Sequence, residues 1–369
     1  MDLTTEEKAA SYLTAELGKP CSRARRLTEG YGSFVYRAEL EDDSTIIVKH
    51  VQAYAATSRQ FVLDPERLTY EHHFLTLIPP HLPTSSGPFT LRLPTALSFS
   101  PESHTLLLTD HGASPSLKSF LSSPPPTLTP TLASQIGTNL ALFLATVHNL
   151  TTTISPEILT HFTPNIGGRL VSAKIYFHNL VSRASNFGFD ASDPANAWLA
   201  DLAEREADIV LGKDPEFKDK EVLTVGDFWP GNVLVSAMQD GGGGERQELV
   251  ALDFELAKPG LAEFDVGQMA AELWMVSYFT RTGDGEEGDL AGVVLRAFLR
   301  GYEEVRGGWV DWNRVAIRVG AHLVVISPLG WQARVGRERA GEAVKRGLEL
   351  CERGYRGKVN GAEECLPEF

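Results

Sequence analysis

The sequence predicts an α+β chain of two parts, a small antiparallel β-rich N-terminal lobe and a larger, mainly helical C-terminal lobe. Three observations carry this reading. Residues 26–51 alternate and turn like a strand meander, helical patterning takes over from Leu132, and one later β-like stretch, residues 222–253, is short and sits among helices. At 369 residues the chain exceeds one average domain and has room for two lobes, divided here as 1–109 and 110–369.

Residues 5–18 have the spacing of a short amphipathic helix, with Ala9, Tyr12, Leu13 and Leu17 near one face. Residues 26–40 then read as a strand, a turn at Gly30 and Gly32, and a second strand. The polar turn 41–44 precedes a β-branched strand, 45–51, that ends on Lys49-His50. A helix is expected over 65–77, stopped by Pro79-Pro80. Residues 91–98 and 104–109 supply two more extended segments. Two proline-rich patches, 79–94 and 122–131, read as surface loops rather than partner-recognition motifs, because they lie inside a folded region. The apolar runs 233–235 and 249–252 flank Gly241–Gly244, a run that a flexible hairpin tip explains in full.

Bulk composition excludes several classes. Hydrophobic content of 43% and charged content of 22% describe an ordinary globular protein. A net charge of −14 opposes a general nucleic-acid partner, whose footprint would be basic. Cys21, Cys351 and Cys365 are too few and scattered for a disulfide framework or a zinc site. The first 17 residues lack the apolar core of a signal peptide, and no apolar run approaches the roughly 20 residues of a membrane span. A soluble cytoplasmic protein is the expectation.

The chemistry concentrates in two short segments. Val225-Gly226-Asp227-Phe228-Trp229-Pro230-Gly231-Asn232 places Asp-x-x-x-x-Asn on a turn-rich loop, and Leu252-Asp253-Phe254-Glu255 follows the hairpin. Phosphoryl transfer from ATP needs a carboxylate to orient and deprotonate a hydroxyl, and oxygen ligands to hold magnesium against the phosphates. Asp227 fits the first role, and Asn232 with Asp253 the second. Asp and Asn are also common turn residues, and on the spacing alone the turn reading would win; Asp253 at the end of its apolar run and the N-terminal elements reverse that. Gly30, Gly32 and Ser33 form a turn whose backbone N–H groups can approach phosphates, Lys49 ends an apolar strand, and Glu71 follows on a helix where it can pair with Lys49.

In that order of residues the chain resembles the aminoglycoside phosphotransferase and choline kinase family. Within it the chain is most similar to the methylthioribose kinase-like branch, which includes fungal 4-hydroxytryptamine kinase. The resemblance runs over residues 26–332 and rests on Arg26-Leu27-Thr28-Glu29-Gly30, Ile47-Val48-Lys49-His50, Asp227 to Asn232 and Leu252-Asp253-Phe254-Glu255-Leu256. It implies a two-lobed protein-kinase-like fold, ATP and Mg2+ as cofactors, and a small-molecule hydroxyl acceptor such as a sugar, amino alcohol, hydroxyindole or aminoglycoside. By the same resemblance Asp227 is the base, Asn232 and Asp253 bind magnesium, and Lys49, held by Glu71, contacts phosphate. Residues 107–111, with Thr109, Asp110 and His111, form the hinge for adenine, and Asp265 braces the catalytic loop.

Glu255 stands either near the metal or in support of it. Trp229, Trp274 and Trp331 are candidates for an aromatic wall at the acceptor, or for helix core. The acidic stretch 283–289 is better explained as a solvated loop than as an amine attractor. A helix break is expected at 327–332. Val225 replaces the histidine usual in the family, and Val35 stands where a third loop glycine is common. A nucleotide-binding pseudoenzyme is the alternative function. A protein kinase is disfavoured, because no Ala-Pro-Glu segment follows Asp253.

Overall fold

A computed structural model describes residues 2–18, 20–28, 30–83, 89–239, 245–281 and 288–368. Glu29, the glycine run 241–244, residues 84–88 of the first proline-rich patch and residues 283–287 of the acidic stretch lie outside the described residues.

Thr5 opens helix α1 (Glu6–Leu17) by accepting the Lys8 N–H on its hydroxyl, and Gly18 closes it at φ +62°. The helix buries Ala9, Tyr12 and Leu13. Leu17, expected on the same face, is 36% exposed, because the packed stripe ends a turn earlier. Strands β1 (Cys21–Leu27), β2 (Phe34–Leu40) and β3 (Thr45–His50) form the meander. In β2 the alternate residues Phe34, Tyr36, Ala38 and Leu40 face the core. Strand β1 starts five residues before the position expected from sequence. Its first five residues carry two arginines and bury only Ala24, so its alternation is hidden.

A small hairpin that the sequence reading missed, β4 (Tyr54–Ala55) with β5 (Ser58–Val62), precedes α2 (Arg67–Leu77). The expected extended segment at 91–98 is two strands, β6 (Phe89–Arg92) and β7 (Ala96–Ser100), followed by β8 (Thr105–Thr109). Five strands make one antiparallel sheet in the order β1-β2-β3-β8-β7, with Lys49 on β3 between Val35 and Leu106.

The helical part begins with α3 (Leu117–Ser122) and α4 (Pro130–Asn149), joined by the second proline-rich patch. Then come α5 (Ile166–Ala173), α6 (Leu180–Ser185), α7 (Trp198–Val210) and α8 (Pro215–Lys218). Strand β9 (Val222–Thr224) leads to the hairpin β10 (Val233–Gln239) and β11 (Glu245–Ala251), and β12 (Lys258–Gly260) returns to pair with β9. Strand β6 leaves the N-terminal sheet and pairs in parallel with β11, so a segment before residue 109 helps hold the hairpin.

The chain finishes with α9 (Glu263–Thr280), α10 (Leu290–Arg306), α11 (Trp312–Gly330), α12 (Gln332–Val335) and α13 (Arg337–Tyr355). Helix α9 is buried on nearly every side, which is why it shows no amphipathic stripe. The break expected within 327–332 is present, at the far end of that range. Pro328 lies in the last turn of α11, and the chain turns at Trp331. No helix among the described residues is long and apolar enough to cross a membrane.

Candidate active site

Strand pairing brings the two motif segments together. Residues 225–232 run from β9 to β10, and residues 252–257 run from β11 to β12. Because β9 pairs with β12 and β10 with β11, the segments are closed onto each other from both ends. The Leu252 N–H donates to the Asn232 carbonyl at 2.8 Å, carrying the ladder up to Asp253.

Asp227 is half-buried and held at both oxygens. Gln268 Nε2 donates to Oδ1 at 2.6 Å, and Asn232 Nδ2 donates to Oδ2 at 3.0 Å. Asn232 Nδ2 also donates to the Asp227 carbonyl at 3.0 Å, which leaves the amide oxygen of Asn232 as its atom for a cation. Beneath the loop lies Asp265, fully buried. It accepts the N–H of Val225 at 2.7 Å and of Gly226 at 2.9 Å, and His148 Nε2 stands 3.1 Å from its Oδ2. Val225 itself is buried and apolar, so Asp265 and His148 hold the loop without a histidine at 225.

Gly226 has φ +85°, and a Cβ there would fall 2.2 Å from the Leu256 carbonyl oxygen. Gly226→Ala is expected to cost about 2 kcal/mol or more, since it adds left-handed strain to a backbone clash. An unchanged denaturation midpoint with an unchanged m-value would contradict that close approach.

Asp253 adopts φ +66°, a strained conformation for a residue with a Cβ, and its side chain is 38% exposed. Lys49 reaches it from β3. The Lys49 Nζ lies 2.5 Å from Glu71 Oε2, 2.5 Å from Asp253 Oδ1 and 3.5 Å from Glu255 Oε2. Glu71 sits on α2 one turn before Phe74, whose ring stacks flat on Phe254 with centroids 4.1 Å apart and planes 7° apart. That buried stack ties α2 to the segment carrying Asp253, so Glu71 and Asp253 are positioned together.

Glu255 joins the same side of the site. Ser33 Oγ donates to its Oε2 at 2.9 Å, and Arg67 Nε donates to its Oε1 at 3.2 Å. Arg67 also donates to the Gly32 carbonyl at 3.0 Å. A Cβ on Gly32 would lie 3.0 Å from Glu255 Oε1, so glycine lets the turn approach this carboxylate. Gly30 shows no such crowding.

Carboxylate oxygens of Glu71, Asp253 and Glu255 lie within 4.8 Å of one another. Hard oxygen ligands so gathered suit magnesium, and of the three Asp253 is the most exposed. Burial alone would lower the pKa of Lys49, but Asp253, Glu71 and Glu255 reverse this and keep its ammonium charged. Burial first, and the charge of Asp253 second, push Asp227 up to about 7.

At the expected hinge, Leu107 and Leu108 are paired on both sides within the sheet, so the backbone leaves the strand ladder after Thr109. Asp110 is gripped by Arg37 through two bonds of 2.7 and 3.0 Å, and it accepts the Gly112 N–H at 3.0 Å. Thr109 Oγ1 and His111 Nε2 lie 3.4 Å apart.

Two of the three candidate wall tryptophans share a neighbour. Lys118 Nζ of α3 lies 4.9 Å from the Trp229 ring and 5.1 Å from the Trp331 ring. Trp331 is itself buried, with its ring stacked on Phe279 at 5.0 Å and Arg334 5.5 Å from it, so of the two only Trp229 is partly open. Trp274 is not part of that wall. It is fully buried, stacks on Tyr278 at 4.6 Å and donates to the Pro367 carbonyl at 3.2 Å, as a core residue does.

Arg67, Gln268 and Lys118 touch the site and were not anticipated from sequence. Arg67 stands four residues before Glu71 and Gln268 three after Asp265, both helical spacings that share a face. Lys118 has no comparable sequence mark.

A family model describing the phosphotransferase enzyme family matches residues 23–309, and the chain belongs to that family. The 4-hydroxytryptamine kinase of Psilocybe cubensis is 27% identical over 334 residues, covering 88% of this chain and 86% of that protein. The 4-hydroxytryptamine kinase of Psilocybe cyanescens is 26% identical over 370 residues, covering 98% and 96%. Among solved structures, the GDP complex of wild-type aminoglycoside 2′-phosphotransferase-IIIa matches with a TM-score of 0.50 at 14% identity, over 95% of this chain and 99% of that one. Choline kinase LicA from Streptococcus pneumoniae matches with a TM-score of 0.50 at 13% identity, over 94% and 98%. The fold is protein-kinase-like, and the family resemblance noted in the sequence holds.

Proposed function

We propose that this chain moves the γ-phosphoryl group of ATP, with magnesium, to a hydroxyl of a small molecule. The observation that carries the reading is the Lys49 ammonium shared between Glu71 and Asp253, with Asp227 and Asn232 bonded to each other on the adjoining loop. In this reading 1–109 is the nucleotide lobe and 110–369 the acceptor lobe, acting in the cytoplasm. Gly30, Gly32 and Ser33 cover the phosphates, Lys49 pairs with them, and the backbone after Thr109 receives adenine. Held by Asn232 and Asp253, magnesium would offset charge on the phosphate oxygens. Asp227, oriented by Gln268 and Asn232, accepts the hydroxyl proton as the acceptor oxygen bonds to phosphorus and the bond to the ADP oxygen breaks.

The shared family and the similarity to 4-hydroxytryptamine kinases support a small hydroxyl compound as acceptor. The test is ADP release against sugars, amino alcohols, hydroxyindoles and aminoglycosides, with phosphorylated product identified by mass. Magnesium-dependent release with at least one class is expected. ATP binding with no transfer to any of them would favour the nucleotide-binding pseudoenzyme.

A further inference from the structure

Trp229, Trp331 and Glu272 together make the kind of site that binds an organic cation. Two indole faces and one carboxylate converge on a single point, within the roughly 6 Å over which a ring attracts a positive charge. That point is already filled by the chain itself. The Lys118 Nζ lies 4.9 Å from the Trp229 ring, 5.1 Å from the Trp331 ring and 3.0 Å from Glu272 Oε2.

The ion pair is well sheltered. The Glu272 side chain is 4% exposed and Lys118 23% exposed. His322 Nε2 stands 3.0 Å from the other Glu272 oxygen, so both oxygens are engaged. Burial would raise the pKa of Glu272, but Lys118 and His322 hold it down to about 2.

The cage adjoins the proposed chemistry. Glu272 lies one turn along α9 from Gln268, whose amide donates to Asp227, and Trp229 is two residues from Asp227. Residues so spaced on a helix lie about 6 Å apart. An acceptor with its hydroxyl at Asp227 would extend toward the cage with its next few atoms. A cationic group arriving there meets the Lys118 charge and a Glu272 carboxylate whose charge is already paired. A neutral or anionic group meets no such opposition.

We infer that Lys118 occupies the cation position of an aromatic cage beside Asp227, and so selects acceptors whose non-reacting end is neutral or anionic. The inference rests on the proposed acceptor site, and it ranks sugars above choline-type amino alcohols in the panel.

The test is binding of tetramethylammonium, with tert-butanol as its neutral isostere, to the full chain, read by tryptophan fluorescence and calorimetry. Wild type is expected to show no response to tetramethylammonium up to roughly 10 mM, since its cage is filled. Lys118→Met and Lys118→Gln are expected to bind tetramethylammonium about tenfold or more tighter than wild type, with tert-butanol unchanged. Adding Glu272→Gln should remove the gain.

A wild-type response in that range overturns the inference, even if neither variant folds. So does a variant that gains tert-butanol equally, or one that gains nothing. These readouts need no turnover, so a failure of Asp227 as base would leave them standing and would be seen separately.

Discussion

Replacing Asp227 with Asn is expected to cut phosphoryl transfer by about 10²–10⁴-fold, the usual worth of a positioned general base. ATP binding and folding should survive. The substitution keeps the side chain's size, and Asn232 Nδ2 still finds the Asp227 backbone carbonyl at 3.0 Å. Gln268 can adapt as well. Its Nε2 now donates to Asp227 while its buried Oε1 has no partner, so an amide flip would let it accept from the new amide.

The pH profile gives the same residue a second test. Only ionised Asp227 can take a proton, so transfer should fall tenfold per unit as pH drops below its pKa. Burial and the Asp253 charge place that pKa at about 7 in the free protein. Magnesium at Asp253 would draw it down, which puts the acidic limb between the ordinary value of 3.8 and about 7. The variant's residual transfer should lack the limb. Superimposable profiles, or wild-type transfer by the variant, would remove Asp227 as the base, whereas loss of folding would mark it as a structural turn residue.

Much of this architecture was legible because the chemistry restricts residue type. Lys49, Glu71, Asp227, Asn232 and Asp253 stand out in order along the chain, and the hairpin after Asn232 explains how a distant aspartate returns to its side. Strands such as β2 were legible because one face is buried and the other is not.

What stayed hidden depends on contacts between distant elements. The parallel pairing of β6 with β11 leaves no trace in local patterning. The passage of α11 through Pro328 is also invisible locally. A proline in the last turn removes one hydrogen bond, at a position where packing of the preceding turns has already set the helix. Trp274 illustrates a different limit. A tryptophan on a helix buried all round carries the same letter as one facing a cleft, and only its stack on Tyr278 and its bond to Pro367 distinguish them. Sequence alone leaves Glu255 between two roles, and the contacts with Ser33, Arg67 and Lys49 place it beside the glycine turn and α2.

Asp253→Ala should abolish most magnesium-dependent turnover, by at least about 10²–10³-fold, the scale of losing one preorganised electrostatic group. The fold should hold, since the side chain is 38% exposed and Lys49 keeps Glu71 and Glu255 as partners. Two explanations of the loss are separable. If Asp253 served only to position Lys49, its removal would weaken ATP binding with or without magnesium. If it is a metal ligand, the prediction for metal-free ATP runs the other way. Asp253 now holds the Lys49 ammonium at 2.5 Å and so competes with phosphate for it. Removing that carboxylate takes one competitor off the ammonium, which Glu71 still holds, and takes away a negative charge that repels the nucleotide. Metal-free ATP should then bind the variant at least as tightly as wild type, while the gain in affinity on adding magnesium shrinks or vanishes. Calorimetric titrations of ATP with EDTA and with saturating magnesium, set beside ADP release, measure both quantities. Unchanged turnover at saturating magnesium, or an undiminished magnesium effect on ATP affinity, would show that Asp253 does not hold the metal.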